Sequence, residues 1–377
     1  MLIYIVIYTL LLLCFFFEKD NVRLSDKKVV LAWLVLILTL FRGLRWDTGT
    51  DWDQYLSVFK VADWSNIFSF SRNSSTHMEP GYMFINVLVK TIGGGYTLFL
   101  LLTNFFVLYA YQRFALTNST SPIFVFVLII FSTQFFPVRI GIAVGVILLG
   151  LTNFSDKKFR RAIFFTLIAA TIHSSAVIFI PIYCSIYIKK FPTLLAVIIA
   201  VVWMEIASLP AYNTFLFTLA GGLNFLGDET AHKFENYLDY GLTQSNRIVI
   251  AGYLSSTIFI LLLWIFGKML DKKSPALLKD HINYDFLYNV YFVFMMIAIA
   301  FPGERMAGLR RLQNFFMFAF PVLFSVFIVN GKKKYPSYSI YYTFAIIGYA
   351  VFRAYSLFYG RDPEVHFPYK SILDHAF

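Results

Sequence analysis

The chain has 377 residues, of which 59% are hydrophobic, with a mean hydropathy of +0.68 and a net charge of +11. That apolar share is far above a soluble domain's and excludes an ordinary water-soluble enzyme. A basic surplus can serve nucleic acid, but its placement here excludes that partner.

Apolar stretches close to 20 residues recur along nearly the whole length, each long enough to cross a hydrocarbon core about 30 Å thick. The first, about 2 to 17, lacks the basic start and cleavage site of a signal peptide, so it reads as a membrane span. It ends at the basic segment 18–28, and a second span, about 29 to 44, returns to the other side. There the chain reads Phe41-Arg42-Gly43-Leu44-Arg45-Trp46-Asp47-Thr48-Gly49-Thr50-Asp51-Trp52-Asp53-Gln54-Tyr55, a loop that pairs both charge signs with aromatics. After it, Glu79 starts a short apolar helix over 80–90, with proline in the favoured first position. Gly93-Gly94-Gly95 ends that helix, which is too short to span and reads as a half-helix or re-entrant element.

A span follows over about 96–112, and others over 121–136 and 138–153, with Arg139 at the outer end of the last. Gly141, Gly145 and Gly150 give that helix a small face for close packing. Segment 159–190 is basic at both ends and holds the polar cluster Thr171-Ile172-His173-Ser174-Ser175 in its middle, so it predicts a hairpin with His173 near the apex. Further spans fall at about 191–207, 247–267, 284–301, 312–329 and 338–356, with an external stretch and capping helix over 208–246. The expected fold is an all-α integral membrane protein. It is a polytopic bundle of about 11–13 transmembrane or re-entrant helices, with a groove on its external face. One integral domain covers residues 1–377, and the loop with its half-helix spans 42–95.

Segments predicted to share one side carry about 18 basic and 7 acidic residues, and the remainder balances to zero. This asymmetry is the positive-inside pattern and fixes orientation. Arginines on the opposite side then need a local reason. Arg42, Arg45, Arg139, Arg305, Arg310 and Arg311 all fall there, near span ends, and guanidinium groups match phosphate oxygens bidentately. Asp51, Glu79 and His173 are the candidate bases, and Trp52 and Tyr55 the candidate sugar-stacking aromatics beside Trp46. Asp51 and Asp53 could hold a divalent cation, although the pair alone is a weak signal and no cofactor is favoured. No His/Cys metal pattern and no nucleotide-type glycine loop occur, which speaks against an ATP-driven machine. Cys14 and Cys184, each in an apolar run, imply no disulfide framework.

Four stretches carry a family resemblance: Arg45-x-x-x-Gly49-Thr50-Asp51-x-x-x-Tyr55, Glu79-Pro80-Gly81-Tyr82, Arg139 opening a small-residue helix, and His173-Ser174-Ser175-Ala176 before Pro181. In that order the chain resembles the EpsG family, Wzy-like polymerases of bacterial surface polysaccharides. The resemblance is clearest over about 40–185 and extends to Arg305, Arg310 and Pro368-Tyr369-Lys370. The family pattern places Gln-x-x-Ala after the arginine, whereas Ile140-Gly141-Ile142-Ala143 follows Arg139 here.

The resemblance implies a multi-pass enzyme of the bacterial cytoplasmic membrane with its active site facing outward. It implies transfer of a growing undecaprenyl-diphosphate-linked glycan onto a lipid-linked repeat unit, with a chain-length regulator as a further partner besides the bilayer. Arg139 and Arg305 would then grip the diphosphate, assisted by Arg45 or Arg310, and Asp51 or His173 would take the proton. The alternatives are a flippase or transporter for the same lipid-linked sugars, an O-antigen ligase, and a membrane O-acyltransferase. A flippase would show internal repeats and cationic groups along its whole path, and neither is visible in the sequence.

Overall fold

The structure, a computed structural model, describes residues 2–18, 22–49, 51–68, 78–133, 136–152, 158–209, 211–212, 214–216, 218, 246–272, 283–301, 311–335, 337, 341, 344, 346–352 and 368–374. Among them the chain is helical throughout, apart from one isolated β-bridge between Arg45 and Ser371. The helices are α1 (Leu2–Leu13), α2 (Leu24–Gly43), α3 (Trp52–Val61), α4 (Pro80–Thr91), α5 (Tyr96–Asn118), α6 (Pro122–Ser132), α7 (Arg139–Gly150), α8 (Phe159–Ile172), α9 (Thr193–Ser208), α10 (Asn246–Asp271), α11 (Tyr284–Ala300) and α12 (Ala319–Lys334).

Among the described residues two stretches, Tyr96–Asn118 and Leu254–Asp271, are long and apolar enough to cross a bilayer. Shorter apolar helices include Pro122–Ser132, Arg139–Gly150, Thr193–Ser208 and Tyr284–Ala300. This all-helical, apolar architecture is consistent with a membrane protein. The elements follow the sequence reading closely in places. The half-helix appears as α4, with Pro80 at its start and a break at Gly93, whose φ of +77° suits glycine. The hairpin over 159–190 turns at His173, although its second limb is 3₁₀ helix, Ser174–Phe179 and Pro181–Tyr187. The span expected from about 312 begins only at Ala319, after a 3₁₀ turn at Arg311–Phe315. Most of the 208–246 stretch and much of 338–356 lie outside the described residues.

The chain divides into two compact units. The first comprises Met1–Tyr183, Lys279–Ile282 and Phe324–Phe377, and the second Cys184–Leu278 and Asn283–Leu323. Within the first unit the helices gather their ends at two poles. At one pole Glu18, just past α1, pairs with Lys27 of α2 at 2.6 Å and accepts from the Ile123 and Phe124 amides that open α6. Asn118 at the end of α5 donates to the Leu151 carbonyl beyond α7, and Arg161 of α8 donates to Leu149. Lysines and arginines crowd this pole. At the opposite pole lie the end of α2, the starts of α5 and α7, and the His173 turn. Gly145 and Gly150 of α7 do pack closely, against Phe106 of α5 and Phe165 of α8.

α4 does not run between the poles. It begins beside Arg139 and Ser174, and the three glycines after it lead straight into Tyr96, so both its ends belong to the second pole. In the second unit α9, α10 and α11 pack together. Lys190 pairs with Asp271 at 3.0 Å, the Phe191 amide donates to Asn289 Oδ1, and Tyr291 donates to the Phe259 carbonyl.

Gly43 marks the closest approach of α2 to α5. A Cβ there would lie 2.6 Å from Leu101 Cδ2 and 2.9 Å from its Cα. Gly43→Ala is therefore expected to destabilise the protein by about 1–3 kcal/mol, read as a lowered midpoint of unfolding in detergent. Gly95→Ala, where a Cβ would meet nothing within 4 Å, is expected to stay within about 0.5 kcal/mol of the parent.

Candidate functional site

Three distant stretches meet on one carboxylate. Glu79 sits just before α4, where Pro80 presets the first helical turn. Its Oε2 accepts from Arg139 Nη1 at 2.6 Å, and its Oε1 accepts from the Ser174 amide at 3.0 Å and the Ser174 hydroxyl at 3.1 Å. Arg139 Nη1 also lies 2.9 Å from Met78 Sδ. Burial pushes the Glu79 carboxyl upward. The charge of Arg139, the Ser174 amide and the neighbouring His173 outweigh it, and the net result lies below the usual glutamate range. The pair is part-buried, with side-chain exposures of 24% for Arg139 and 20% for Glu79.

The approach is possible because residue 81 is glycine. A Cβ on Gly81 would lie 2.3 Å from Thr171 Oγ1 and 2.8 Å from the Thr171 carbonyl oxygen. The start of α4 thus rests directly on the end of α8, and any side chain would lift Glu79 off Ser174. The chain leaves α8 at His173, in an extended conformation, so the Ser174 amide is released from helical bonding and turned toward Glu79.

Beside this knot lies a buried arginine in an aromatic cage. Arg45 is 2% exposed, with its guanidinium 4.6 Å from the centre of the Phe136 ring and 5.8 Å from that of Trp52. Among the described residues its Nε and Nη1 have no hydrogen-bond partner, and no carboxylate pairs with it. Burial lowers its pKa to about 10, against the opposing pull of the Tyr96, Tyr369, Tyr4 and Tyr55 hydroxyls, so it stays charged at neutral pH. Cation–π contact is the main compensation in sight, worth about 2 kcal/mol per desolvated ring.

The chain's final described segment closes the cage. The Trp46 amide donates to the Lys370 carbonyl and the Ile372 amide to the Leu44 carbonyl, both at 2.8 Å. Tyr369 donates to the Phe41 carbonyl at 2.6 Å and stacks on the Phe41 ring, while Lys370 pairs with Asp47. Residues more than 320 positions apart thus form one layer over Arg45.

The other predicted site residues are spread more widely. Arg42 is wholly buried in the last turn of α2, close to Tyr8 and Tyr111. Trp52 is buried in the cage, 5.0 Å from the Tyr96 ring, and Tyr55 lies 5.8 Å from Tyr82. Asp51 and Asp53 are exposed at the start of α3, and Asp51 adopts a left-handed φ of 62°. The Asp51 carbonyl accepts from the Tyr55 amide at 3.0 Å, and among the described residues its carboxylate is in no ion pair. No group of three or more metal-ligating side chains occurs among them either. Arg311 is exposed in the second unit, while Arg305 and Arg310 lie outside the described residues. Sequence reasoning missed Phe136, Tyr4 and Tyr96 as cage walls and Ser174 as the Glu79 donor. In a chain that is 20% aromatic, no ring announces itself, but Ser174 stands directly after the singled-out His173.

The EpsG family profile matches residues 28–371, a stretch that runs from α2 to the bridge residue Ser371. The chain is a helical protein of the EpsG family, and membership implies a role in polysaccharide synthesis. No curated protein and no solved structure matches it.

A carboxyl held below its unfolded pKa, about 4.3 for glutamate, adds stability above that value and loses it as pH falls through the folded one. Wild type is expected to exceed Glu79→Gln by on the order of 2 kcal/mol at pH 7. The gap should shrink below about pH 4.3 and close as the pH drops further. Melting temperatures across that range measure it, and equal melting at pH 7 would show that the Glu79 contacts carry no stability.

Proposed function

We propose that this protein is a polysaccharide polymerase of the bacterial cytoplasmic membrane. It transfers a growing glycan from undecaprenyl diphosphate onto a hydroxyl of a lipid-linked repeat unit at the outer face. The observation that carries this reading is the convergence of Arg139, Glu79 and the His173–Ser174 turn beside the buried Arg45. The separation of that pole from the lysine-rich one supports the outward orientation.

The acceptor oxygen attacks the donor's anomeric carbon, and the bond from that carbon to the diphosphate oxygen breaks. The acceptor's proton passes to a base, and undecaprenyl diphosphate departs carrying the developing negative charge. Arg139 neutralises that charge. Glu79 uses only part of its guanidinium, whose buried Nε has no partner among the described residues. Arg45 adds positive potential from beneath the aromatic layer. Arg305 and Arg310 remain candidates for the same anion from the other arginine-rich loop, and Arg42 reinforces the field from within α2.

Glu79 is a weak proton acceptor, because its carboxyl is held below the usual glutamate range and both its oxygens are engaged. Its role is to fix Arg139. His173 adjoins the Ser174 contact at the turn, so we assign proton acceptance to it, with Asp51 steering the acceptor from the exposed start of α3. Tyr55 offers a stacking face for sugars, and Trp52 supports it from within the cage.

Purified protein in vesicles with defined lipid-linked repeats, followed by a gel that resolves chain length, tests the reading. Wild type is expected to give a ladder. Arg139→Ala is expected to lose polymer by about 100-fold or more at equal protein level. His173→Ala should fall by a similar factor, about 10²–10⁴ for a lost general base. A full ladder from Arg139→Ala would falsify the assignment, and a single transfer without a ladder would make the protein a ligase instead.

A further inference from the structure

A second feature lies at the lysine-rich pole, away from the Glu79 knot. α1 and its 3₁₀ extension (Cys14–Phe17), the end of α12 and the short helical stretch 346–352 enclose a groove of about 710 Å³. Its walls are Leu12, Leu13, Phe16, Val329, Ile346 and Ile347. Several of these are open to the surroundings, with Leu13 51% and Phe16 66% exposed. Thr9 lies at one end of the α1 stretch in its lining and Glu18 at the other, with Lys332 and Lys333 contributed by the end of α12. The carboxylate of Glu18 is engaged by Lys27 and by the Ile123 and Phe124 amides.

We propose that this groove binds an anionic phospholipid of the inner leaflet, with its phosphate at Lys332 and Lys333 and its acyl chains along α1 and α12. The α1 stretch from Thr9 to Glu18, part α-helix and part 3₁₀, runs about 16 Å, close to half of a hydrocarbon core about 30 Å thick. A lining of one leaflet's length, mostly apolar and with lysines at the end of α12, is the profile of a phospholipid with its headgroup at the interface. Positive-inside placement puts that end on the cytosolic side, where anionic lipids concentrate. A polyprenyl phosphate shares the headgroup chemistry, but its chain is far longer than the stretch from Glu18 to Thr9. A bound lipid here would brace α1, whose Tyr4 forms part of the Arg45 cage at the far end of the same helix.

This inference rests on the membrane and orientation reading, but not on the transfer chemistry. The test is lipid retention by the full-length protein, reconstituted in nanodiscs of phosphatidylcholine containing a minor share of phosphatidylglycerol, then released into detergent and weighed by native mass spectrometry. Wild type is expected to keep phosphatidylglycerol over phosphatidylcholine. The K332Q/K333Q variant should keep at least tenfold less, and added undecaprenyl phosphate should not displace the lipid. Leu13→Trp fills the groove without touching charge and should have the same effect, which guards against a lysine variant that fails to fold. Equal retention of both phospholipids, unchanged retention in both variants, or displacement by undecaprenyl phosphate would overturn the proposal. Failure to enter the nanodisc at all would overturn the membrane reading itself.

Discussion

One carboxylate does the joining at the second pole. Glu79 stands 60 positions from Arg139 and 95 from Ser174, and its two oxygens reach both. A part-buried glutamate tolerates low-dielectric surroundings only if its charge is matched, and here one guanidinium and two serine donors supply the match. The consequences spread outward. α4 must lie across the pole rather than cross the bundle, α8 must stop at His173, and α7 must begin with Arg139. Gly81 is the steric counterpart of that electrostatic requirement, since the carboxylate reaches Ser174 only if α4 rests on the Thr171 backbone.

The Arg45 cage solves the opposite problem. Here a charge is buried with no carboxylate beside it among the described residues, and its surroundings are ring faces and tyrosine hydroxyls. Such a guanidinium keeps its attraction for an incoming anion, because no resident anion has used it. The cage is held shut by backbone hydrogen bonds between the Leu44–Trp46 stretch and the Lys370–Ile372 stretch, not by the arginine itself. Geometry and charge are therefore supplied by different parts of the chain, which leaves the charge available.

Local signals in the sequence were readable where they broke a pattern. Glu79-Pro80 and the triple glycine mark α4 because proline and glycine punctuate helices by their own backbone limits. His173 marks a turn because a polar cluster interrupts an apolar run with basic ends. Arg42, Arg45 and Arg139 stood out because charge is costly in such a chain. What was not readable depends on distance along the chain. The Glu79–Arg139 pairing and the Tyr369–Phe41 stack join residues that no local pattern links, and the cage rings are hidden among 44 phenylalanines and 24 tyrosines. The predicted lengths of the spans at 121–136 and 138–153 were also too great, since apolarity continues past the point where the backbone leaves the helix at Thr133 and resumes it at Arg139.

Those two short helices bear on where the site lies. α6 and α7 have 11 and 12 residues, so each is about 17–18 Å long. Both are fixed at the lysine-rich pole, α6 through Glu18 at its first amides and α7 through Asn118 at the carbonyl beyond its last turn. In a bilayer with a core about 30 Å thick, the whole shortfall of about 12 Å must then fall at the opposite pole. Phe136 and Arg139 would accordingly stand below the membrane surface on that side, within membrane depth. Non-helical backbone survives there only where protein encloses it or a water-filled cavity solvates it. Every residue of α6 is buried, and the Tyr4 and Phe41 rings pack against Phe136, with Tyr369 packed on both of them. Shortened helices, an enclosing aromatic layer and recessed arginines therefore belong to one arrangement.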